Sequence, residues 1–189
     1  MQTLLIDNND SFTYNIVNLL RSLSNCQFDV IKSAEVTNTQ LLQYKKVILS
    51  PGPGTSSEFP TIAQTIKHCI NTNTDLLGVC LGHQAICEYF GAKLYRMEKV
   101  IHGQRRLIKV DNTSMLYSNI PSQIEVGLYH SWAIHPDSLP DCLIQTAISS
   151  DNILMSVQHK HFNIYGVQFH PESFMTDYGK QIVNNFLSL

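Results

Sequence analysis

A chain of 189 residues is long enough to bury a substantial core, and residues 1–189 fit a single domain. A net charge of −2 gives no overall attraction to nucleic acid or anionic lipid, and basic clusters such as Arg105-Arg106 are short. No apolar run approaches the roughly 20 residues of a bilayer span, and the start lacks the charged region and cleavage site of a signal peptide. The reading is therefore a soluble, unexported protein with neither a nucleic-acid nor a membrane partner.

Apolar runs rich in β-formers at Thr3–Ile6, Phe28–Ile31, Val47–Leu49 and Leu76–Val79 alternate with helical patterns at Phe12–Leu23 and Ile62–Ile70. That alternation predicts an α/β fold, with βαβ units forming an open, mostly parallel twisted sheet with helices on both faces. Asn8 to Ser11 precede the first helix, where Asp10 or Ser11 can cap the opening turn. Ser50-Pro51-Gly52-Pro53-Gly54-Thr55 follows a strand directly, and strand-end loops are where open α/β sheets bind ligands. The run Asp75–Val79 then stops on Cys80, flanked by Gly78 and Gly82. A helical pattern begins at once and ends near Gly91, which suits a C-cap.

From Ala92 to about Gln168 the texture changes to short alternating runs at 107–110, 123–126, 143–146, 153–157 and 164–169. These predict a smaller antiparallel or mixed β portion. His102-Gly103 fits a turn within it. The chain closes on an amphipathic helix at Tyr178–Leu187.

Strand, tight turn, helix is the order of a nucleophile elbow, and the glycines at 78 and 82 leave room for it. Cys80 is the candidate nucleophile, because the partial positive charge of a helix N-terminus favours a thiolate. Of eight histidines, only His170 stands at the end of a strand-like run with an acid two residues on, in His170-Pro171-Glu172. In extended backbone, residues i and i+2 face the same way, so Glu172 can orient His170 while the other ring nitrogen faces Cys80. This is the nucleophile, base and orienter arrangement of a triad. The Leu81 N–H at the helix start and the Gly54 N–H are placed to form an oxyanion site.

Together, Val79 to Gln84, Ser50 to Gly54 and Val167 to Glu172 resemble the class I, triad-type glutamine amidotransferases. Leu5 to Asn15 is similar to the signature of the members that serve chorismate-using synthases. The resemblance covers essentially the whole chain and implies their flavodoxin-like architecture. It implies that Cys80 forms a γ-glutamyl thioester, that His170 protonates the departing ammonia and then activates water, and that Glu172 holds His170. It further implies that L-glutamine is gripped by Gly52, Pro53, Gly54, Gln84, Ser131 and Trp132. The ammonia then passes to a separate large synthase subunit. By resemblance that partner is anthranilate synthase component I, with magnesium bound on the partner's side and no cofactor or metal on this chain. A synthase making aminodeoxychorismate is the alternative. Asn9, Ala92 and Gln104 depart from the family pattern at positions outside the triad.

Two other classes compete with this reading. An α/β-hydrolase-type cysteine hydrolase shares the elbow, but it places its acid between nucleophile and histidine in chain order. A non-catalytic binding subunit would not need a complete triad. A metal site at His159-Lys160-His161 or at Cys80 and His83 lacks a second matching pair of ligands. The remaining cysteines, at 26, 69, 87 and 142, read as small core hydrophobes in a reducing compartment. Cytosol is the default location, and the Asn-, Ile-, Lys- and Gln-rich composition leaves a plastid stroma open.

Overall fold

A computed structural model describes residues 2–23 and 26–189. Its centre is one nine-stranded sheet in the order β2-β1-β3-β4-β9-β8-β7-β5-β6. The strands are β1 (Gln2–Asp7), β2 (Gln27–Lys32), β3 (Lys46–Leu49), β4 (Asp75–Val79), β5 (Leu94–Val110), β6 (Gln123–Ile134), β7 (Leu143–Ser149), β8 (Leu154–His159) and β9 (Ile164–Val167). β2, β1, β3, β4 and β9 run parallel. From β8 to β6 the pairing is antiparallel. The antiparallel portion thus continues the same sheet rather than forming a separate layer.

The helices are α1 (Thr13–Arg21), α2 (Asn38–Leu41), α3 (Pro60–Thr72), α4 (Leu81–Tyr89) and α5 (Gly179–Leu187). Alternation along the parallel strands assigns each helix a face, because successive side chains point to opposite sides of a sheet. Leu5, Ile48 and Leu77 share one cluster with Ile16, Val17 and Leu20 of α1 and Ile182, Val183 and Phe186 of α5. Leu4, Ile6, Val47, Leu49 and Leu76 face the other way, onto Ile62 and Ile66 of α3 and Ala85 and Ile86 of α4. Helices on both faces are therefore the direct consequence of strands whose central positions are apolar on both sides.

Two local expectations change. His102-Gly103 lies inside β5, where a register shift against β6 falls and Gly103 takes φ +63°, so it is a bulge rather than a turn. Asp10 accepts from the Phe12 N–H at 2.7 Å, just before α1, and so builds the turn that leads into the helix. No helix among the described residues is long and apolar enough to cross a membrane.

The parallel strands bring their carboxyl ends to one edge of the sheet. Asn8 leaves β1 there, Ser50 leaves β3, Cys80 leaves β4 and Gln168 leaves β9. Asn8 ties two of these ends together: its backbone N–H donates to Ser50 Oγ at 2.8 Å and its side-chain amide donates to the Ser50 carbonyl at 2.9 Å.

Candidate active site

Cys80 occupies a backbone conformation that L-residues rarely adopt, with φ 51° and ψ −99°. The strain is sustained by its surroundings. The Cys80 N–H donates to the Val167 carbonyl of β9 at 2.8 Å, and its own carbonyl accepts the Gln84 N–H of the first helical turn at 3.0 Å. No side chain fits at either flanking glycine. A Cβ on Gly82 would stand 2.7 Å from Leu49 Cβ, and one on Gly78 would stand 2.7 Å from the His83 nitrogen. Only glycine lets α4 start this close to β3 and β4. The first N–H groups of α4 have no acceptor within the helix, which leaves the Leu81 N–H open toward the turn.

His170 is fixed by the far half of the sheet. Its backbone N–H donates to the Gly127 carbonyl of β6 at 3.1 Å, and its carbonyl accepts from the Thr176 hydroxyl at 2.6 Å. On the imidazole, Nδ1 meets Glu172 Oε1 at 2.6 Å, with both side chains buried. Nε2 is buried with no hydrogen-bond partner among the described residues. Burial alone would drive the proton off this ring. The Glu172 charge and hydrogen bond, together with the nearby Cys80 sulfur, outweigh it and raise the pKa. The ring is also walled by aromatic groups: Phe12 packs edge-on with centroids 4.9 Å apart, and Tyr129 does so at 5.0 Å.

The sheet edge gathers most of the residues named from the sequence. Cys80, His170, Glu172, Leu81 and Gln84 meet there. Trp132 reaches it through its backbone, since its carbonyl accepts Gln84 Nε2 at 2.9 Å and His130 Nδ1 at 2.8 Å. Ser131 is half-buried on the adjoining stretch of β6. Gly52 packs over the elbow: a Cβ there would collide with Leu81 Cδ2 and stand 2.9 Å from Asn8 Cβ. Pro53 and Gly54 continue from it as an exposed rim, with Gly54 at φ +67° over the Glu58 carboxylate that accepts the Thr55 N–H. A sulfur, an imidazole that retains its proton and a buried carboxylate, beside a helix N-terminus, form a set able to carry out acyl transfer from an amide.

The model of the glutamine amidotransferase class-I family matches residues 4–189. The chain belongs to this family. Two relatives illustrate the range. A Haemophilus influenzae protein provisionally named anthranilate synthase component II is 41% identical over 100% of this chain and 97% of its own length. Aminodeoxychorismate synthase component 2 of Escherichia coli K12 is 37% identical over 97% of this chain and 98% of its own. Among solved structures, a Thermoplasma acidophilum protein provisionally assigned to GMP synthase superposes with a TM-score of 0.88. It has 26% identity, and the match covers 100% of this chain and 92% of that protein.

Three contributors to the amidotransferase site were not named from the sequence. Phe12 lies in a motif noted for other residues, and Tyr129 sits in an ordinary strand run. Gln168 had a visible signal: it stands two residues before His170 in the strand-end segment, the same spacing that singled out Glu172. The other histidines have packing roles. His83 is wholly buried against Gly166, and burial, helped by nearby His130, lowers its pKa to about 3. His159 is packed between Phe90 and Phe162, and its Nδ1 accepts the His161 and Phe162 N–H groups. No group of three or more His, Cys, Asp or Glu side chains that could hold a metal occurs among the described residues. Cys69 and Cys87 are buried, which pushes both thiols well above their usual range. Cys26 and Cys142 are only partly buried, at the margins of the apolar clusters.

Proposed function

We propose that this chain hydrolyses L-glutamine and supplies the ammonia to a separate synthase subunit that converts chorismate to anthranilate. The observation that carries the chemistry is the buried His170–Glu172 pair at 2.6 Å beside the strained Cys80. In the proposed cycle the Cys80 thiolate attacks the side-chain carbonyl carbon of glutamine, forming the C–S bond. The oxyanion is met by the Leu81 and Gly54 N–H groups. His170 gives its Nε2 proton to the amide nitrogen, the C–N bond breaks and ammonia leaves. Water then loses a proton to His170 and attacks the thioester, and breaking the C–S bond releases glutamate and restores the thiolate. Gln84 and the backbone of Gly52, Pro53, Ser131 and Trp132 would hold the amino-acid end of the substrate.

Free ammonia becomes a non-nucleophilic ammonium ion in water, so a glutaminase is useful to a synthase only when docked over it. Two features support such a partner. Relatives of nearly the same length are named as second components of synthases. Phe174, two residues beyond Glu172, is 88% exposed and offers an apolar surface next to the triad. In this reading the chain itself needs no cofactor, and magnesium would be bound by the partner. The bacterial and archaeal relatives favour a cytoplasmic setting over a plastid one.

The second reading, a role in an aminodeoxychorismate synthase, is favoured by the similarity to relatives of that name. The discriminating experiment is to recover the chain with its large synthase partner bound, then to assay the product made from chorismate and glutamine. Anthranilate with pyruvate is expected. Aminodeoxychorismate as sole product would transfer the assignment to the second reading, and the absence of any glutamine-dependent product would remove both.

A further inference from the structure

Gln168 is completely buried, and its amide sits between the nucleophile and the residues assigned to glutamine. Its Nε2 lies 3.5 Å from Cys80 Sγ, and its Oε1 accepts Gln84 Nε2 at 3.0 Å. Gln84 Nε2 also donates to the Trp132 carbonyl, which takes a second bond from His130 Nδ1.

This chain of groups has only one workable polarity. A carbonyl oxygen can only accept, so Gln84 must turn its NH2 group, not its oxygen, toward Trp132. The second hydrogen of that NH2 group then requires an oxygen from Gln168, which leaves the Gln168 NH2 group facing the sulfur. Reversing any amide would set two donors, or two acceptors, against each other inside the protein. The same carbonyl fixes the proton of His130 on Nδ1. Burial, with the nearby His170 charge, outweighs the raising effect of the Trp132 hydrogen bond and lowers the His130 pKa to about 4, so this ring is neutral near pH 7. The ionisable side chain next to the sulfur is therefore His170, held by Glu172, while neutral His130 on β6 lies near His170 and neutral His83 on α4 lies near His130.

We propose that Gln168 is a further catalytic residue, an obligatory hydrogen-bond donor to the Cys80 sulfur. Gln84 and the Trp132 carbonyl act through it as positioning groups that lock its polarity. The donor stabilises the thiolate and holds the sulfur in one rotamer for attack. Because Gln84 and Trp132 are also the groups assigned to glutamine, substrate contacts and nucleophile orientation share one network. The inference rests on Cys80 being the nucleophile.

The test uses Gln168→Met, which keeps the bulk but has no donor, and the isosteric Gln168→Glu, which places an acceptor against the sulfur. Three quantities are read: thermal unfolding, the rate of Cys80 alkylation by iodoacetamide at pH 7, and glutaminase kcat and KM in the complex with its synthase partner. Iodoacetamide does not need the glutamine pocket, so it reports the sulfur alone. With wild-type-like unfolding, Gln168→Met should alkylate at Cys80 about tenfold or more slowly, and kcat should fall by a similar factor, as expected for loss of a hydrogen bond to a charged group, with a smaller rise in KM because Gln84 loses its acceptor. Gln168→Glu should be slower still. If wild-type protein is not alkylated at Cys80, the nucleophile assignment itself fails. If wild type is alkylated there and both variants match its rate, or if only KM changes, the Gln168 inference is overturned.

Discussion

Gly78→Ala tests whether the elbow geometry sets the rate. Its new Cβ would lie 2.7 Å from the His83 nitrogen and closer still to the Gly82 carbonyl, all of it backbone of the first turn of α4. No flexible side chain is available to yield. Restoring ordinary contact, about 3.5–4 Å between non-bonded carbons, requires that turn to move by roughly 1 Å. The strand cannot follow it, because Gly78 is paired with Leu49 of β3 on one side and Gly166 of β9 on the other. Cys80 and Leu81 would therefore shift relative to His170, which is anchored separately on β6. Overpacking of this kind costs about 1–3 kcal/mol of stability. A misplacement of about 1 Å at a reacting group costs about 100-fold in rate. The assay is glutaminase kcat alongside chemical unfolding, with Gly91→Ala as the comparison. At Gly91 an added Cβ meets nothing within 4 Å, but φ is +104°, so that variant should lose about 1–3 kcal/mol from backbone strain and keep its kcat. Wild-type kcat in Gly78→Ala, or an equal loss of kcat in Gly91→Ala, would refute the reasoning.

Other outcomes follow from the same geometry. In Glu172→Gln the bond to His170 Nδ1 can persist but its charge is gone, so burial prevails and the imidazole loses its proton at lower pH. The alkaline limb of the glutaminase pH profile should move to lower pH and kcat should fall about 10²–10⁴-fold, measured as kcat against pH. Phe12→Ala removes one aromatic wall of His170 and its packing on Tyr129, whose centroid is 4.6 Å from that of Phe12. Each lost aromatic pair is worth about 0.5–1.5 kcal/mol, so the melt should fall by a corresponding amount while kcat drops by up to about tenfold. Steady-state kinetics beside a thermal melt separates the two effects.

The parallel half of the fold was legible at β1, β3 and β4, which are buried on both faces and read as apolar runs, whereas β9, parallel to β4 and equally buried, was grouped with the short antiparallel or mixed runs that precede it. β5 was not. Over Leu94–Arg106 it is largely exposed, lacks alternation and carries two register shifts, so only its last residues, 107–110, resemble a strand. The capped turn α2 is only four residues long, too short to leave a periodic signature. At the site, Cys80, His170 and Glu172 could be found because each lies in a short motif whose local geometry states its role. Phe12 and Tyr129 could not, since each meets His170 only in the folded chain: Tyr129 because β6 passes beside the segment after β9, and Phe12 because it arrives from the turn that opens α1. Gln168 fell between the two cases: its spacing was visible, but its role depends on Gln84 and the Trp132 carbonyl arriving from other elements.

The central claim is that one sulfur attacks glutamine. Mass spectrometry after treatment with a glutamine-mimicking alkylator tests it directly, read beside glutamine- and ammonia-dependent synthesis by the complex. A single label on Cys80 is predicted, with Cys80→Ala unlabelled and inactive with glutamine while ammonia-dependent synthesis by its partner persists. Labelling at Cys26, Cys69, Cys87 or Cys142, or glutamine-dependent synthesis surviving in Cys80→Ala, would contradict the account.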